Sequence, residues 1–533
     1  MAFFTRFMPG MLAKSPPRSQ AVEDAANWQR PTSLFRPAPA DYDLVAQLTY
    51  MSALATANIS REALFQKTAE LGYTTSGYFH RVHLVAQRLN YDYARACQLV
   101  ADATDNEVVS SLLLRFSSSL ASGEPESVFL ARETEIQLEQ YSKKYERDLE
   151  SLRKWTDAYV ALMVSVTLVV VVSLVSMMIY SVGTIFILGL AVVMIAIAGI
   201  GDWIIYRTAP VEPKTHKRKE KSRTQRQMFT VAKVLLPAAA LIGAAVGLLA
   251  GIGAGMVVAA VVMGPVGVLA FIDDQRVDQQ DRDISTFLRA LGSVVGAIGT
   301  TISEGMERVN QRSLASLEQG VRRLHIRLRS GIKPDLCWDR FVSETGSELV
   351  DRSVSTFWDT IKLGGDPDQI GYLSSLFALK ISLMRENRKL ISQTFQYLVI
   401  PLHVVLVAIV LFITEVMAIF ATQLASIQTQ ALSSTTTSTE AGVDVTNVLA
   451  FAAPNVGFIR GFALVVTIVL TVVDAWAPHS TAGGHHHKFW AYLAVMALTS
   501  GLALMLIPHV VGGLFHSVAG DLANTTTTGG TTP

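Results

Sequence analysis

One arrangement of residues occurs twice in this chain of 533 residues, and each copy precedes a long apolar segment. The two tetrads, 242 residues apart, are Gly123-Glu124-Pro125-Glu126 and Gly365-Asp366-Pro367-Asp368. The same offset relates Trp155 to Tyr397, and each of these aromatic residues directly precedes an apolar segment. Repeats have to be found first, because missing one misreads the whole fold. The register predicts two related polar helical domains, each followed by a membrane span.

The apolar residues are concentrated in blocks. Half of the residues are hydrophobic and only 17% are charged, against about 25% in an ordinary soluble protein. A helix needs about 20 apolar residues to cross a bilayer. Seven blocks reach this length: 158–180, 184–206, 230–250, 253–272, 398–421, 456–474 and 489–513. The predicted fold class is all-α, a polytopic membrane protein with about seven transmembrane helices and two cytoplasmic helical-bundle domains.

The charges of the loops predict the orientation. Residues 207–227 carry eight Lys or Arg against two Glu, whereas residues 422–455 carry neither Lys nor Arg. Positively charged loops stay in the cytoplasm, so the first loop is predicted inside and the second outside. The segment Met1–Gly10 does not have the pattern of a cleavable signal peptide. We therefore expect a cell membrane protein with a cytoplasmic N-terminus and an external C-terminus, where Asn524 begins a possible glycosylation sequon.

Breaks in hydropathy and helical periodicity divide the chain into successive segments. They are a flexible Pro-rich arm (1–40), a first cytoplasmic helical domain (41–156), transmembrane helices 1–2 (157–206), a basic cytoplasmic loop (207–228), Gly-rich transmembrane helices 3–4 (229–272), a second cytoplasmic helical domain (273–397), transmembrane helix 5 (398–421), an external Thr-rich loop (422–455), transmembrane helices 6–7 (456–513) and an external tail (514–533). Glycines at intervals of four in helices 3–4 predict close packing between helices.

Motifs for catalysis are missing from the sequence. It contains no G-x-x-x-x-G-K-[ST] phosphate loop, no H-E-x-x-H and no cysteine pair at zinc spacing. We therefore predict no enzyme, no cofactor, no metal and no nucleic-acid partner. The run His485-His486-His487 is interpreted as a solvated polar loop, with metal binding as the alternative. Cys97 and Cys337 are interpreted as reduced structural thiols.

Carboxylates inside predicted spans are costly in lipid and suggest function by default. Glu415 lies within the fifth predicted span, where a helix–helix hydrogen bond and ion coupling are equally open interpretations. It supports an alternative function, a polytopic transporter or channel. Asp202 and Asp474 lie near the predicted cytoplasmic ends of their spans, so both are expected to reach water.

Several segments resemble one family. The run Ile284–Leu291, followed by Gly296 and Gly299, is similar to the opening of the type II secretion system F domain, and residues 43–57 resemble the same opening. Leu363–Pro367 is similar to the stretch before the last cytoplasmic helix of that domain. Two such domains with additional spans resemble the archaeal FlaJ/TadC-like platform proteins of the archaellum and of archaeal type IV pili.

The resemblance implies a mechanical role. Such proteins are membrane platforms beneath a growing filament, and a hexameric secretion ATPase docks on their cytoplasmic domains. The ATPase drives movement that lifts archaellin or pilin-like subunits from the lipid bilayer, and in the archaellum it also rotates the filament. A homo-oligomer, a dimer, is expected. The sequence does not separate archaellum from adhesive pilus.

The charged helices near the tetrads are the predicted ATPase-binding surface. The candidate residues are Lys143, Lys144 and Arg147 in the first copy and Arg385, Arg388 and Lys389 in the second. An equally open interpretation is that they are solvated faces or contacts with lipid headgroups.

Overall fold

The computed structural model describes residues 40–179, 184–218, 220–310, 314–435 and 456–528. Within these ranges the chain forms sixteen α-helices and one isolated β-bridge, Thr215 with Ser347. The helices are α1 Ala40–Ala55, α2 Arg61–Ala69, α3 Ser76–Leu89, α4 Tyr93–Asp102, α5 Glu107–Ser122, α6 Glu126–Ile179, α7 Thr184–Thr208, α8 Arg223–Ala250, α9 Ile252–Ile298, α10 Ile302–Arg308, α11 Glu318–Arg329, α12 Pro334–Thr345, α13 Glu348–Lys362, α14 Pro367–Thr435, α15 Val456–Ala482 and α16 Lys488–Thr528. The predicted all-α fold is confirmed.

The helices of the first polar block recur in the same order in the second. Helices α2 to α6 correspond to α10 to α14, and α1 corresponds to the end of α9. Helix α11 begins at Glu318, 242 residues after α3 begins at Ser76. The other four pairs of helices begin 241 residues apart. The offset read from the tetrads therefore holds to within one residue at the start of each of these five pairs of helices.

The two compact units of the structure cut across this repeat. The first unit contains the described residues up to Tyr141 together with Leu288–Thr300 and Ser355–Phe377. Its centre is α1, in which every residue from Tyr42 to Leu54 is buried. Within this unit α1 contacts parts of the second copy: the rings of Tyr42 and Phe377 lie 6.3 Å apart. The two copies thus share a core in the first unit.

Local signals explain where the helices of the first unit begin and end. The side chains of Asp92 and Asn106 accept hydrogen bonds from the first backbone N–H groups of α4 and α5, as N-cap residues do. The aromatic rings of Phe65 on α2, Phe116 on α5 and Phe129 on α6 stack at centroid distances of 5.1–5.6 Å. The apolar faces of α2, α5 and α6 are therefore buried against one another.

The second unit contains Ser142–Phe287, Thr301–Val354 and the chain from Ala378 onward. Among the described residues, six helices are long and apolar enough to cross a membrane: α6, α8, α9, α14, α15 and α16. The remaining predicted span, 184–206, coincides with α7, which is not among these six, so the count of seven stays a prediction. The protein is nevertheless a multi-pass membrane protein.

Helices α8 and α9 form the predicted glycine-lined hairpin. A Cβ atom on Gly255 would lie 2.5 Å from the carbonyl oxygen of Gly243 and 2.7 Å from the Cα of Gly247. Only a residue without a side chain allows the two backbones to approach this closely. Gly251 has φ +97° between the helices, a conformation that favours glycine.

Two predicted boundaries differ from the structure. The external loop was predicted from residue 422, but α14 continues to Thr435, because 422–435 contains no Gly or Pro that would end a helix. The external tail was predicted from residue 514, but α16 continues to Thr528. The predicted arm, apart from Ala40, and residues 436–455 of the loop lie outside the described residues.

Candidate functional site: a charged junction in the second unit

The acidic side of the site is one face of α9. Asp274, Asp278 and Asp281 follow the predicted span 253–272 at spacings of four and three residues, which places them on the same side of a helix. All three side chains are at most 12% exposed. Buried carboxylates require partners of opposite charge, and the chain supplies them from three other segments.

Two lysines bind the first of these carboxylates. Lys214, from the segment between α7 and α8, places Nζ 2.7 Å from Oδ1 of Asp274 and also pairs with Asp278. Lys488, the first residue of α16, places Nζ 2.8 Å from Oδ2 of the same carboxylate. Lys389 of α14 lies 3.0 Å from Asp278. One acidic face therefore joins segments that lie far apart in the sequence.

Arg385 of α14 binds the other end of this face. Its Nη1 lies 2.5 Å from Asp281, and its Nε lies 2.8 Å from Glu212. Its Nη2 donates a hydrogen bond to the carbonyl of Pro213 at 3.1 Å. The guanidinium is 10% exposed, and both of its carboxylate partners are buried more deeply. Arg385 is therefore largely shielded from water and has two charged partners.

Arg388, one turn further along α14, binds backbone carbonyls. Its guanidinium donates to the carbonyl oxygens of Thr481, Pro210 and Ser480 at 3.0, 2.7 and 3.3 Å. Two of these carbonyls belong to the last turn of α15, where carbonyls lack partners within the helix. Arg388 therefore caps α15 and fixes the segment after α7 to the same point.

We call the set Glu212, Lys214, Asp274, Asp278, Asp281, Arg385, Arg388, Lys389 and Lys488 the charged junction.

The charges of the junction affect one another's protonation. Burial would raise the pKa of Asp274, but the ammonium groups of Lys488 and Lys214 outweigh it and hold that pKa well below its usual range. Burial raises the pKa of Asp281, and the guanidinium of Arg385 only partly opposes the shift. Asp274 is therefore firmly ionised, as the two ion pairs require.

The basic loop after α7 also has partners within the second unit. The Arg218 guanidinium binds both carboxylate oxygens of Asp351 at 2.6–3.1 Å and lies 2.6 Å from Asp339. The backbone N–H of Glu348 donates to the carbonyl of Lys214 at 3.0 Å. For Lys214 and Arg218 the acidic partners belong to this chain.

The six predicted ATPase-binding residues are not alike. Lys143, Lys144 and Arg147 are exposed on α6, and Lys389 is partly exposed. Arg388 is buried in the charged junction, and the side chain of Arg385 there is 10% exposed. Carboxylates and carbonyls of the chain surround these two side chains. The binding of an ATPase by the second copy stays a prediction.

The two tetrads form helix boundaries. Gly123, with φ +76°, ends α5, and α6 begins directly after Glu124 and Pro125. In the second copy, Pro367 is the first residue of α14, and the Asp366 carboxylate accepts a hydrogen bond from the N–H of Asp368 at 3.2 Å. A Cβ on Gly365 would lie within 3.0 Å of Thr56 in the first unit. The motif therefore stops one helix and starts the next.

The histidine run lies beside the junction. His485 and His487 pack against Phe229, and their Nδ1 atoms lie 3.2 Å apart. Burial, followed by the charges of its histidine neighbours, lowers the pKa of His485 to about 3. Among the described residues, no group of three His, Cys, Asp or Glu side chains is arranged to hold a metal ion. The predicted solvated loop is thus partly buried.

Three carboxylates of the predicted spans have defined surroundings. Glu415 pairs with Arg460 of α15 at 2.8 Å, which satisfies its charge without ion coupling. Asp202 and Asp474 do not reach water as expected, since both are buried. Asp474 instead lies 2.6 Å from His403, a residue that the sequence analysis did not single out. The position of His403 within an apolar predicted span was the sequence feature that could have indicated it.

Asn524 lies on the last part of α16, for which side chains are not described. Its possible glycosylation stays a prediction.

The fold and the junction define a class: an all-α, multi-pass membrane protein with a repeated helical block and buried ion pairs beside its spans. The chain is similar to Flagella accessory protein J of Methanocaldococcus jannaschii, with 22% identity over 485 residues, 87% of this chain and 84% of the relative. It is also similar to Flagella accessory protein J of Methanococcus voltae, with 23% identity over 360 residues, 64% of each chain. The predicted resemblance is confirmed: the chain is FlaJ-like.

No family model matches the chain, and no solved structure matches it. The type II secretion system F domain in each block therefore stays a prediction.

Proposed function

We propose that this chain is the membrane platform of an archaellum or a related type IV pilus-like machine. The observation that carries the proposal is its similarity, along 87% of its length, to a protein named for flagella. The repeated helical blocks support the proposal, because in an assembly they would form two related cytoplasmic surfaces on which partners could dock. In this role the N-terminus is cytoplasmic, the platform is a dimer, and archaellin or pilin-like subunits enter the filament above it.

The charged junction gives the platform a route for mechanical coupling. Arg385, Arg388 and Lys389 belong to α14, the same helix that forms the fifth predicted span. Their partners lie on α9, on the segment after α7 and at the ends of α15 and α16. A force applied to the cytoplasmic part of α14 would therefore act on several spans through buried ion pairs. We infer that a hexameric secretion-type ATPase supplies this force.

The exposed residues Lys143, Lys144 and Arg147 are the surface on which this ATPase would dock. Reversing all three to glutamate should weaken ATPase binding at least about tenfold at low salt, because interface charges steer association. Salt screens such charges over about 10 Å, so binding to the unmodified chain should also weaken as salt increases. Titration of purified ATPase against the chain in nanodiscs measures both effects.

The matched control reverses three other exposed arginines, Arg81, Arg88 and Arg95, and changes the net charge equally. We expect this control to bind the ATPase nearly as the unmodified chain does. Unchanged binding by the Lys143, Lys144 and Arg147 variant would reject this docking surface. Equal weakening by both triple variants would show that only net charge matters.

A further inference from the structure

A chain of polar side chains crosses the interior of the second unit within the predicted spans. The helices α6, α7, α14, α15 and α16 each contribute to it. The members are Tyr159, Asp202, His403, Thr471, Asp474 and Ser500, all of them buried. Ionisable groups at such positions are costly in a bilayer and suggest a functional site by default.

The hydroxyl groups of Thr471 and Ser500 determine that one ring nitrogen of His403 carries a proton. The Thr471 hydroxyl donates to the carbonyl of Thr467 at 2.7 Å, so its oxygen is left to accept. The Ser500 hydroxyl lies 2.7 Å from that oxygen and therefore donates to it. Each hydroxyl has a single proton to donate. Ser500 must then accept from Nε2 of His403, 2.8 Å away, and Nε2 carries a proton.

The other ring nitrogen shares a second proton with Asp474. Nδ1 of His403 lies 2.6 Å from Oδ2 of Asp474, and the Tyr159 hydroxyl donates to Oδ1 at 2.9 Å. One proton between Nδ1 and Oδ2 leaves the pair neutral overall, whichever atom holds it. Removing that proton would leave an uncompensated buried negative charge, which is strongly unfavourable.

A second carboxyl group faces this pair. Asp202 of α7 is 6% exposed, and its Oδ1 is buried without a hydrogen-bond partner. It interacts electrostatically with Asp474 and Tyr159, the titratable groups that face it from α15 and α6. His403 faces Asp474 from α14, and α16 contributes the uncharged Ser500. Two buried carboxylates that interact cannot both be ionised without a large cost.

We propose that Asp202, Asp474 and His403 form an intramembrane proton-binding site. The site binds one exchangeable proton in addition to the proton held between His403 and Asp474. Uptake of that proton from water neutralises the Asp202 carboxylate, and its release restores the negative charge next to Asp474. Since five helices line the site, gain or loss of this charge changes the interactions between the spans. This inference does not depend on the proposed platform function.

Infrared difference spectroscopy of the full chain in phosphatidylcholine nanodiscs tests the proposal. Spectra are compared between about pH 9 and about pH 5.5, above the range in which exposed carboxylates titrate. We expect a protonated-carboxyl band to appear on acidification, and the variant Asp202→Asn to lose the intensity of one carboxyl group. Asp202→Asn keeps a side chain of the same size, and no hydrogen bond of Oδ1 is lost.

The exposed residue Asp339 supplies the control, because Asp339→Asn removes a carboxylate outside the spans and should leave the band unchanged. A second variant, His403→Gln, should shift the pH at which the band appears, because the charge distribution next to Asp202 changes. A band of wild-type intensity in Asp202→Asn would overturn the proposal. The absence of any band from the wild-type chain would also overturn it.

Discussion

Replacing Asp274 with asparagine should destabilise the second unit by about 3–5 kcal/mol, the range measured when one partner of a buried ion pair is removed. In this variant Lys214 keeps its ion pair with Asp278. Lys488 loses its ion pair with Asp274, the only carboxylate within ion-pairing distance of it among the described residues. The cost arises because a buried ammonium is left without a counter-charge. Thermal unfolding in detergent, followed by circular dichroism, measures the change.

The double variant Asp274→Asn with Lys488→Met should lose less stability than Asp274→Asn alone, since the uncompensated ammonium has been removed. The control is Asp339→Asn, in which Arg218 keeps Asp351 and the lost ion pair is on the surface. Exposed pairs contribute about 0–1 kcal/mol. If Asp274→Asn unfolds at the same temperature as this control, the junction does not stabilise the unit.

Replacing Arg385 with glutamate should have a still larger effect. The new carboxylate would face Glu212 and Asp281, both buried, where the arginine now binds them. Three neighbouring buried carboxylates, two of them without their arginine partner, cost more than one broken pair, so we expect more than about 5 kcal/mol. The chain should then fail to accumulate in the membrane, which an immunoblot of membrane fractions measures.

The exposed substitution Arg147→Glu is the control for Arg385→Glu and should accumulate normally. Arg385→Gln, which removes the charge without reversing it, should give an intermediate amount. If Arg385→Glu accumulates in the membrane and unfolds at the same temperature as the unmodified chain, Arg385 does not pair with Glu212 and Asp281 as described. Reversing Arg385, Arg388 and Lys389 together therefore does not test ATPase docking, because filaments would be lost with the protein itself.

The sequence predicted features that depend on spacing along the chain. The offset of 242 residues, the helical blocks and the hairpin at Gly243–Gly255 follow from local patterns, and the structure contains the same features. The predicted span ends at residue 421, where hydropathy falls, whereas α14 itself continues to Thr435. A fall in hydropathy marks the edge of a membrane span and does not by itself end a helix.

The candidate site was less accessible to prediction, because its pairs join distant segments. Arg385 and Asp281 lie 104 residues apart, and Lys488 and Asp274 lie 214 residues apart. No local pattern specifies which cation meets which carboxylate. Arg385 and Arg388 resemble exposed basic residues in sequence, and only the tertiary packing buries them. His403 was missed for a related reason, since its partners are on other spans.

The number of surface filaments on cells of the source organism that lack this chain decides whether the chain acts as a platform. Electron microscopy would compare these cells with cells in which the intact gene has been restored. A membrane platform is needed for every filament, so the account predicts no filaments in the deletion strain, filament subunits retained in its membrane, and full recovery on restoration. Filaments of normal number and length in the deletion strain would contradict the account.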